Sequence, residues 1–305
     1  MSSVMKALVL HDSGIDYQTD REMPRLTSCF DVLVEVHFSG ICRTDIGIAE
    51  RNIPAKANIV MGHEFCGRIA GFVNGDDEME GWHVGDVVSA NPMVFSDKGD
   101  MMCGKECDGA FAEYIAVPHQ ALIKLPPYFL SPLGAFLEPV AAALAPLKHI
   151  DGRDRVCIFG DNRIAALTSQ VARAMGHQHI ERVTRLDALE KDHYDCIIET
   201  EPAHIDAYVD ALKPGGLLIL KSRSFAPSTI ISNTIAMKEI CIQGARYGDF
   251  GVASHILAAS AHGVKHTLDT STLFGPVYEL SDYEKAFTEA ALPRNKKIFF
   301  KLCAE

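Results

Sequence analysis

The stretch that most constrains the fold lies near the middle of the chain, where Arg155-Val156-Cys157-Ile158-Phe159-Gly160 makes a short apolar run closed by glycine. Such a run reads as a strand buried on both faces, as in a parallel sheet. Ile164, Leu167, Val171 and Ala174 then recur at helical spacing, and Gly176 ends the helix. Strand, glycine turn and helix in direct succession open a dinucleotide-binding unit. The turn itself reads Gly160-Asp161-Asn162-Arg163-Ile164-Ala165. Measured against the glycine fingerprint, it keeps the first glycine and has a tolerable alanine at the third. Asn162 stands where backbone must approach a pyrophosphate. Asp161 brings a like charge to the same place, whereas the helix N-terminus beginning near Arg163 favours phosphate.

The second strand falls within Ala174–Arg185. The acid that binds both ribose hydroxyls is expected at Thr184, where there is none, and Arg185 follows. A site built on Gly160, Asn162, Arg163, Thr184 and Arg185 therefore favours a 2′-phosphate, NADP over NAD, held weakly. Leu186 to His193 is too short for the usual helix, strand and helix before the next strand, Tyr194–Glu199. The missing unit should leave the strand near His179–Thr184 at a sheet edge, which suits its polar content. Leu212-Lys213-Pro214-Gly215-Gly216 reads as helix end and turn before the strand Leu217–Leu220. Ser281-Asp282-Tyr283-Glu284 is a capping-box pattern ahead of a helix, and Ile298-Phe299-Phe300 is a final strand.

The first 120 residues are mostly β. Met5–Leu10, Asp31–Val36 with its alternating Val32, Val34 and Val36, Phe65–Phe72 and Val84–Val88 are short strands between turn residues. At 305 residues and 48% hydrophobic content the chain can bury two cores. A net charge of -11 excludes nucleic acid as the expected partner. The longest apolar run, Gly134–Leu147, is interrupted by Glu138, Pro139 and Pro146, so neither a bilayer span nor a signal segment is expected. Nine scattered cysteines fit reduced thiols and a cytoplasmic protein.

Within the β-rich part, Gly40-Ile41-Cys42-Arg43-Thr44-Asp45 is followed by Met61-Gly62-His63-Glu64. Thiolate, imidazole and carboxylate together are the donor set that zinc prefers, and widely separated ligands point to a catalytic ion with an open position. Asp45 suits the task of accepting the other ring N–H of His63. Taken singly, Cys42 and His63 would read as core residues. Their clustering argues for a metal.

These two segments resemble the zinc-site signature of the medium-chain dehydrogenase/reductases, the zinc-dependent alcohol dehydrogenase family, and later segments follow that family in order. The resemblance implies an α/β chain with a GroES-like β-barrel catalytic domain (residues 1–138 with 272–305) and a truncated Rossmann-like parallel-sheet domain (139–271). The barrel would hold the zinc at its edge facing the second domain. It also implies zinc ligation by Cys42, His63 and Glu138, with Glu64 as an alternate ligand. Thr44 would pass on the substrate proton, Arg43 would hold pyrophosphate, and Lys238–Gly244 would hold a further strand. The relay histidine of the family would fall at Gly47. Where most members carry four lobe cysteines for a structural zinc, only Cys103 and Cys107 occur, with Ser96, Asp97 and Asp100 nearby. One catalytic zinc and no structural zinc is expected. The implied activity is hydride transfer between a nicotinamide cofactor and a small alcohol, polyol or its carbonyl, in a dimer or tetramer. The damaged glycine loop leaves open a zinc-dependent lyase or hydrolase that has lost the dinucleotide, or a binding protein.

Overall fold

The computed structural model describes residues 4–95, 99–201, 204–222, 229–264, 267–292 and 296–303. It divides into two compact units, Met1–Glu138 with Phe274–Glu305, and Pro139–Leu273.

The first unit is built on the strand Val32–Gly40. Its alternating pattern buries Val32, Val34 and Val36 and leaves Leu33, Glu35 and His37 partly exposed. Each buried side chain is worth about 1.5–3 kcal/mol. Because the side-chain period is two, a slip of one residue would drive Glu35 and His37 into the core, so the register is firmly set. Glu64–Phe72 pairs antiparallel along one edge of this strand, while Tyr114–Val117 and then Lys297–Lys301 share the other. Val87–Ala90 and Leu122–Lys124 extend the sheet outward, and Phe274–Glu279 closes the far side parallel to Lys297–Lys301. A three-stranded sheet, from Val4–His11, Gly14–Glu22 and Ile59–Val60, packs its Leu8 and Leu10 into the same core as Val34, Phe65, Phe111 and Phe300.

The second unit carries a five-stranded parallel sheet in the order Ile180–Val183, Val156–Phe159, Tyr194–Glu199, Leu212–Leu220, Cys241–Gly244. Val156–Phe159 is buried throughout, and the helix Arg163–Ala174 follows it directly. Ile180–Val183 is the edge strand, as the short Leu186–His193 spacer requires. Between it and Tyr194–Glu199 there is one short turn of 3-10 helix, Leu186–Ala188.

Four local expectations change. The strand expected at Val84–Val88 begins only at Val87, because Gly85 turns the chain at φ +91. Lys238 ends the helix Ser232–Lys238, and Glu239 at φ 55 breaks from it, so the strand starts at Cys241. Ser281 lies inside a 3-10 turn, Leu280–Asp282, two positions ahead of the helix Tyr283–Ala291, so the cap position falls to Asp282, whose side chain makes no cap bond. Leu212–Gly216, expected as a helix end and turn, already belongs to the strand Leu212–Leu220, the helix Ile205–Ala211 ending just before it.

Candidate active site

Cys42 is the N-cap of the helix Arg43–Ala49, and Asp45 lies in that helix's first turn. The Asp45 carboxylate reaches back to accept the Cys42 N–H at 2.8 Å through Oδ2. Its other oxygen lies 3.4 Å from His63 Nδ1, both groups being buried. One carboxylate therefore orients both the thiol's backbone and the imidazole. It directs the Nδ1 side of the ring toward itself and leaves Nε2 buried without a hydrogen-bond partner. Cys42, His63 and Glu64 bring a sulfur, a ring nitrogen and a carboxylate oxygen within 4.8 Å of one another.

The electrostatics match a metal site. Burial opposes a thiolate at Cys42, but the charge of the neighbouring His63, with that of Lys297 beyond, outweighs it and holds the thiol down to about 6. Burial likewise opposes an imidazolium at His63, and Asp45 and the Cys42 thiolate together raise it well above the ordinary histidine value. Thiolate and imidazolium thus stabilise each other, and a dication entering the cluster takes the place of the His63 proton. The orphaned Nε2 and the soft and borderline donors fit zinc.

Glu64 lies within reach of Cys42 and His63, as an alternate ligand would, and is also held by a lysine. Lys297 Nζ donates to both its oxygens, at 2.6 and 2.5 Å, and to the Ile41 carbonyl at 3.1 Å. Burial drives the Glu64 carboxyl upward and the Cys42 thiolate adds to this, while Lys297 and His63 pull it back. Gly40 explains how the carboxylate fits. A Cβ there would stand 2.4 Å from Glu64 Oε2. Glu138 is 4% exposed, and its charge acts on Cys42. Thr44 Oγ1 lies 3.7 Å from Cys42 Sγ. Arg43 is exposed and donates to the Ala291 carbonyl at 2.7 Å, a contact within its own unit. At Gly47 a Cβ would meet Ile53 Cδ1 at 2.7 Å, so a side chain where the relay histidine of the family would fall requires Ile53 to shift.

Cys103 and Cys107 pair in an isolated β-bridge, and each thiol is within hydrogen-bonding reach of the other. Ser96 and Asp97 lie outside the described residues.

In the second unit, Gly160 and Asn162 occupy the turn after Val156–Phe159, where the strand order reverses. That is the position at which open parallel sheets bind ligands. Gly160 takes φ +141, and a Cβ on it would meet Thr200 Oγ1 at 2.1 Å. Asn162 caps the helix: Oδ1 accepts Ala165 N–H at 3.0 Å, and Nδ2 donates to Thr200 Oγ1 at 2.9 Å. Glu201 accepts the Asp161 N–H at 2.8 Å and also meets Asn162 Nδ2 at 3.3 Å. The loop thus fits a dinucleotide in topology, but it already holds an internal carboxylate. Asp161 is not the lone charge expected, since Arg182 of the neighbouring strand pairs with it at 3.2 Å. Arg163 opens the helix, Thr184 is exposed just past the edge strand, and Arg185 is exposed and engaged by Asp187.

Lys297, Glu201 and Arg182 are the residues that sequence reasoning missed. Each acts through a partner distant in sequence, and none sits in a motif.

Residues 29–127 match the alcohol dehydrogenase GroES-like domain. D-xylulose reductase A of Aspergillus niger is 26% identical over 329 aligned positions, covering 88% of this chain and 89% of that protein. Sorbitol dehydrogenase of Halalkalibacterium halodurans is 26% identical over 336 positions, covering 93% and 95%. The NADP-bound structure of a zinc-binding dehydrogenase from Sinorhizobium meliloti superposes with a TM-score of 0.85 at 21% identity, covering 98% of this chain and all of that one. The fold is accordingly a GroES-like domain joined to a Rossmann-like parallel sheet. No helix of the described residues is long and apolar enough to cross a membrane.

Proposed function

We propose that this chain, a medium-chain dehydrogenase/reductase of the alcohol dehydrogenase-like kind, transfers a hydride between a nicotinamide dinucleotide and a small polyol or its ketose. The observation that carries the reading is the Cys42–His63–Asp45 cluster, in which His63 and Asp45 are buried and His63 Nε2 has no hydrogen-bond partner. Zinc, when bound, supplies a Lewis acid for the substrate oxygen. The nicotinamide supplies or accepts the hydride. Cys42, His63 and Glu138 would hold the ion, and Glu64, engaged on both oxygens by Lys297, would serve as the exchanging carboxylate. Asp45 keeps the His63 ring in the ligating orientation.

Thr44 is the proton carrier. Its hydroxyl, 3.7 Å from the Cys42 sulfur, would take the substrate's proton as the carbonyl forms. Gly160, Asn162, Arg163, Thr184 and Arg185 would hold the dinucleotide. The exposed guanidinium of Arg185 and the absence of a carboxylate at Thr184 support NADP over NAD. The xylulose and sorbitol enzymes it resembles favour a polyol over a long apolar alcohol. Glu201, which bonds to the glycine loop, supports the second reading, a zinc-dependent lyase or hydrolase that no longer uses the dinucleotide.

Oxidation of xylitol and sorbitol, followed by the absorbance of the reduced nicotinamide, tests the proposal. Thr44→Val keeps the shape and removes the hydroxyl, so turnover should fall ~10²-fold or more with zinc content unchanged. Equal turnover in the variant would remove Thr44 from the mechanism.

A further inference from the structure

The outward face of the strand Val32–Gly40 carries a second cluster of metal-ligating types. Glu35 and His37, two residues apart, stand on the face opposite Val34 and Val36. The C-terminal segment returns beside them, with Leu302 N–H donating to the His37 carbonyl at 3.0 Å, and this brings Cys303 to the pair. A carboxylate oxygen, a ring nitrogen and a sulfur lie within 4.8 Å of one another. His37 Nε2 is 3.4 Å from Glu35 Oε2 and buried, with no hydrogen-bond partner. The other Glu35 oxygen accepts the Tyr114 hydroxyl at 3.2 Å, which fixes the carboxylate.

The Cys303 thiol also bonds to the Glu35 carboxylate, but an ordinary glutamate–histidine ion pair, worth about 0–1 kcal/mol at a surface, does not account for the buried Nε2. A tetrahedral ion does. With bonds of ~2.0–2.1 Å to nitrogen and oxygen and ~2.3 Å to sulfur, its ligand atoms lie roughly 3.3–3.7 Å apart, which matches the His37–Glu35 separation. Nitrogen, oxygen and sulfur together suit zinc, not magnesium or calcium. Glu35 and a Cys303 thiolate would balance the dication, while Arg68 and Lys301 near His37 offset Glu113 near Cys303. We propose that Glu35, His37 and Cys303 form a second zinc site, separate from the Cys42 centre, with its fourth position open to water. The Cys303 proton leaves to solvent as the metal enters.

The test uses the full chain, loaded with zinc, dialysed against metal-free buffer and analysed by mass spectrometry of its metals. Wild type is expected to hold two zinc ions per chain. Cys303→Ser and His37→Gln should each hold one, as should Cys42→Ser, and the double variant Cys42→Ser/Cys303→Ser none. Cobalt(II) added to Cys42→Ser gives an independent readout, a thiolate-to-cobalt charge-transfer band that disappears in the double variant. A wild type with a single zinc that Cys42→Ser abolishes would overturn the proposal. So would a second zinc untouched by both Cys303→Ser and His37→Gln.

Discussion

Lys297→Met is expected to lower the unfolding free energy at neutral pH by about 3–5 kcal/mol, the cost of breaking a buried ion pair from one side. Lys297 is 7% exposed and Glu64 1%, and the lysine supplies hydrogen bonds to both carboxylate oxygens as well as to the Ile41 carbonyl. Methionine fills similar volume, so the loss reports the abandoned carboxylate and not a cavity. The sign with pH follows. Without Lys297 the folded-state pKa of Glu64 lies still further above its unfolded value, so the folded variant retains a proton that the unfolded chain releases. Wild type holds that proton up to about 8, so the deficit grows as pH rises through and above about 8, where wild type releases it and the variant does not. Adding Glu64→Gln should recover a large part of the loss, because the uncompensated charge is gone. Urea titrations of the three variants beside wild type measure this. A loss below about 1 kcal/mol for Lys297→Met would mean that the pair is not the buried lock described.

Glu201→Gln is expected to tighten binding of both oxidised nicotinamide dinucleotides. Glutamine keeps an acceptor for the Asp161 N–H and removes the charge that a pyrophosphate on the same loop would meet. A like charge ~4 Å away costs roughly 1 kcal/mol in full solvent and about 4 near a protein surface. The gain should thus be between about tenfold and several hundredfold in Kd. Fluorescence titrations with NAD and NADP check it. Unchanged affinity for both would show that Glu201 withdraws when the cofactor binds and costs nothing.

Local patterns carried most of the fold. The apolar run ending at Gly160 and the helical spacing from Ile164 to Ala174 specify their elements from neighbouring residues alone, and both are observed. The edge position of Ile180–Val183 was legible for a different reason, since Leu186–His193 leaves no room for another unit. Cap and turn details failed where backbone conformation decided them, as at Glu239 and Ser281. In the candidate site, Cys42, Asp45 and His63 were legible because their types are unusual together. Lys297 was not, because it lies 233 positions from Glu64 and opens a strand as any surface lysine might open one. The charge of Asp161 was misjudged for the same reason, its partner Arg182 being brought beside it only by the parallel pairing of strands.

Hydride transfer itself is tested most directly by isotope. A polyol deuterated at the oxidised carbon, incubated with zinc-loaded protein and NADP or NAD, should yield reduced nucleotide carrying the deuterium, as read by mass spectrometry, and Cys42→Ser should yield none. Zinc-replete protein that produces no reduced nucleotide from either cofactor with any polyol tried, or reduced nucleotide free of deuterium, would contradict the account.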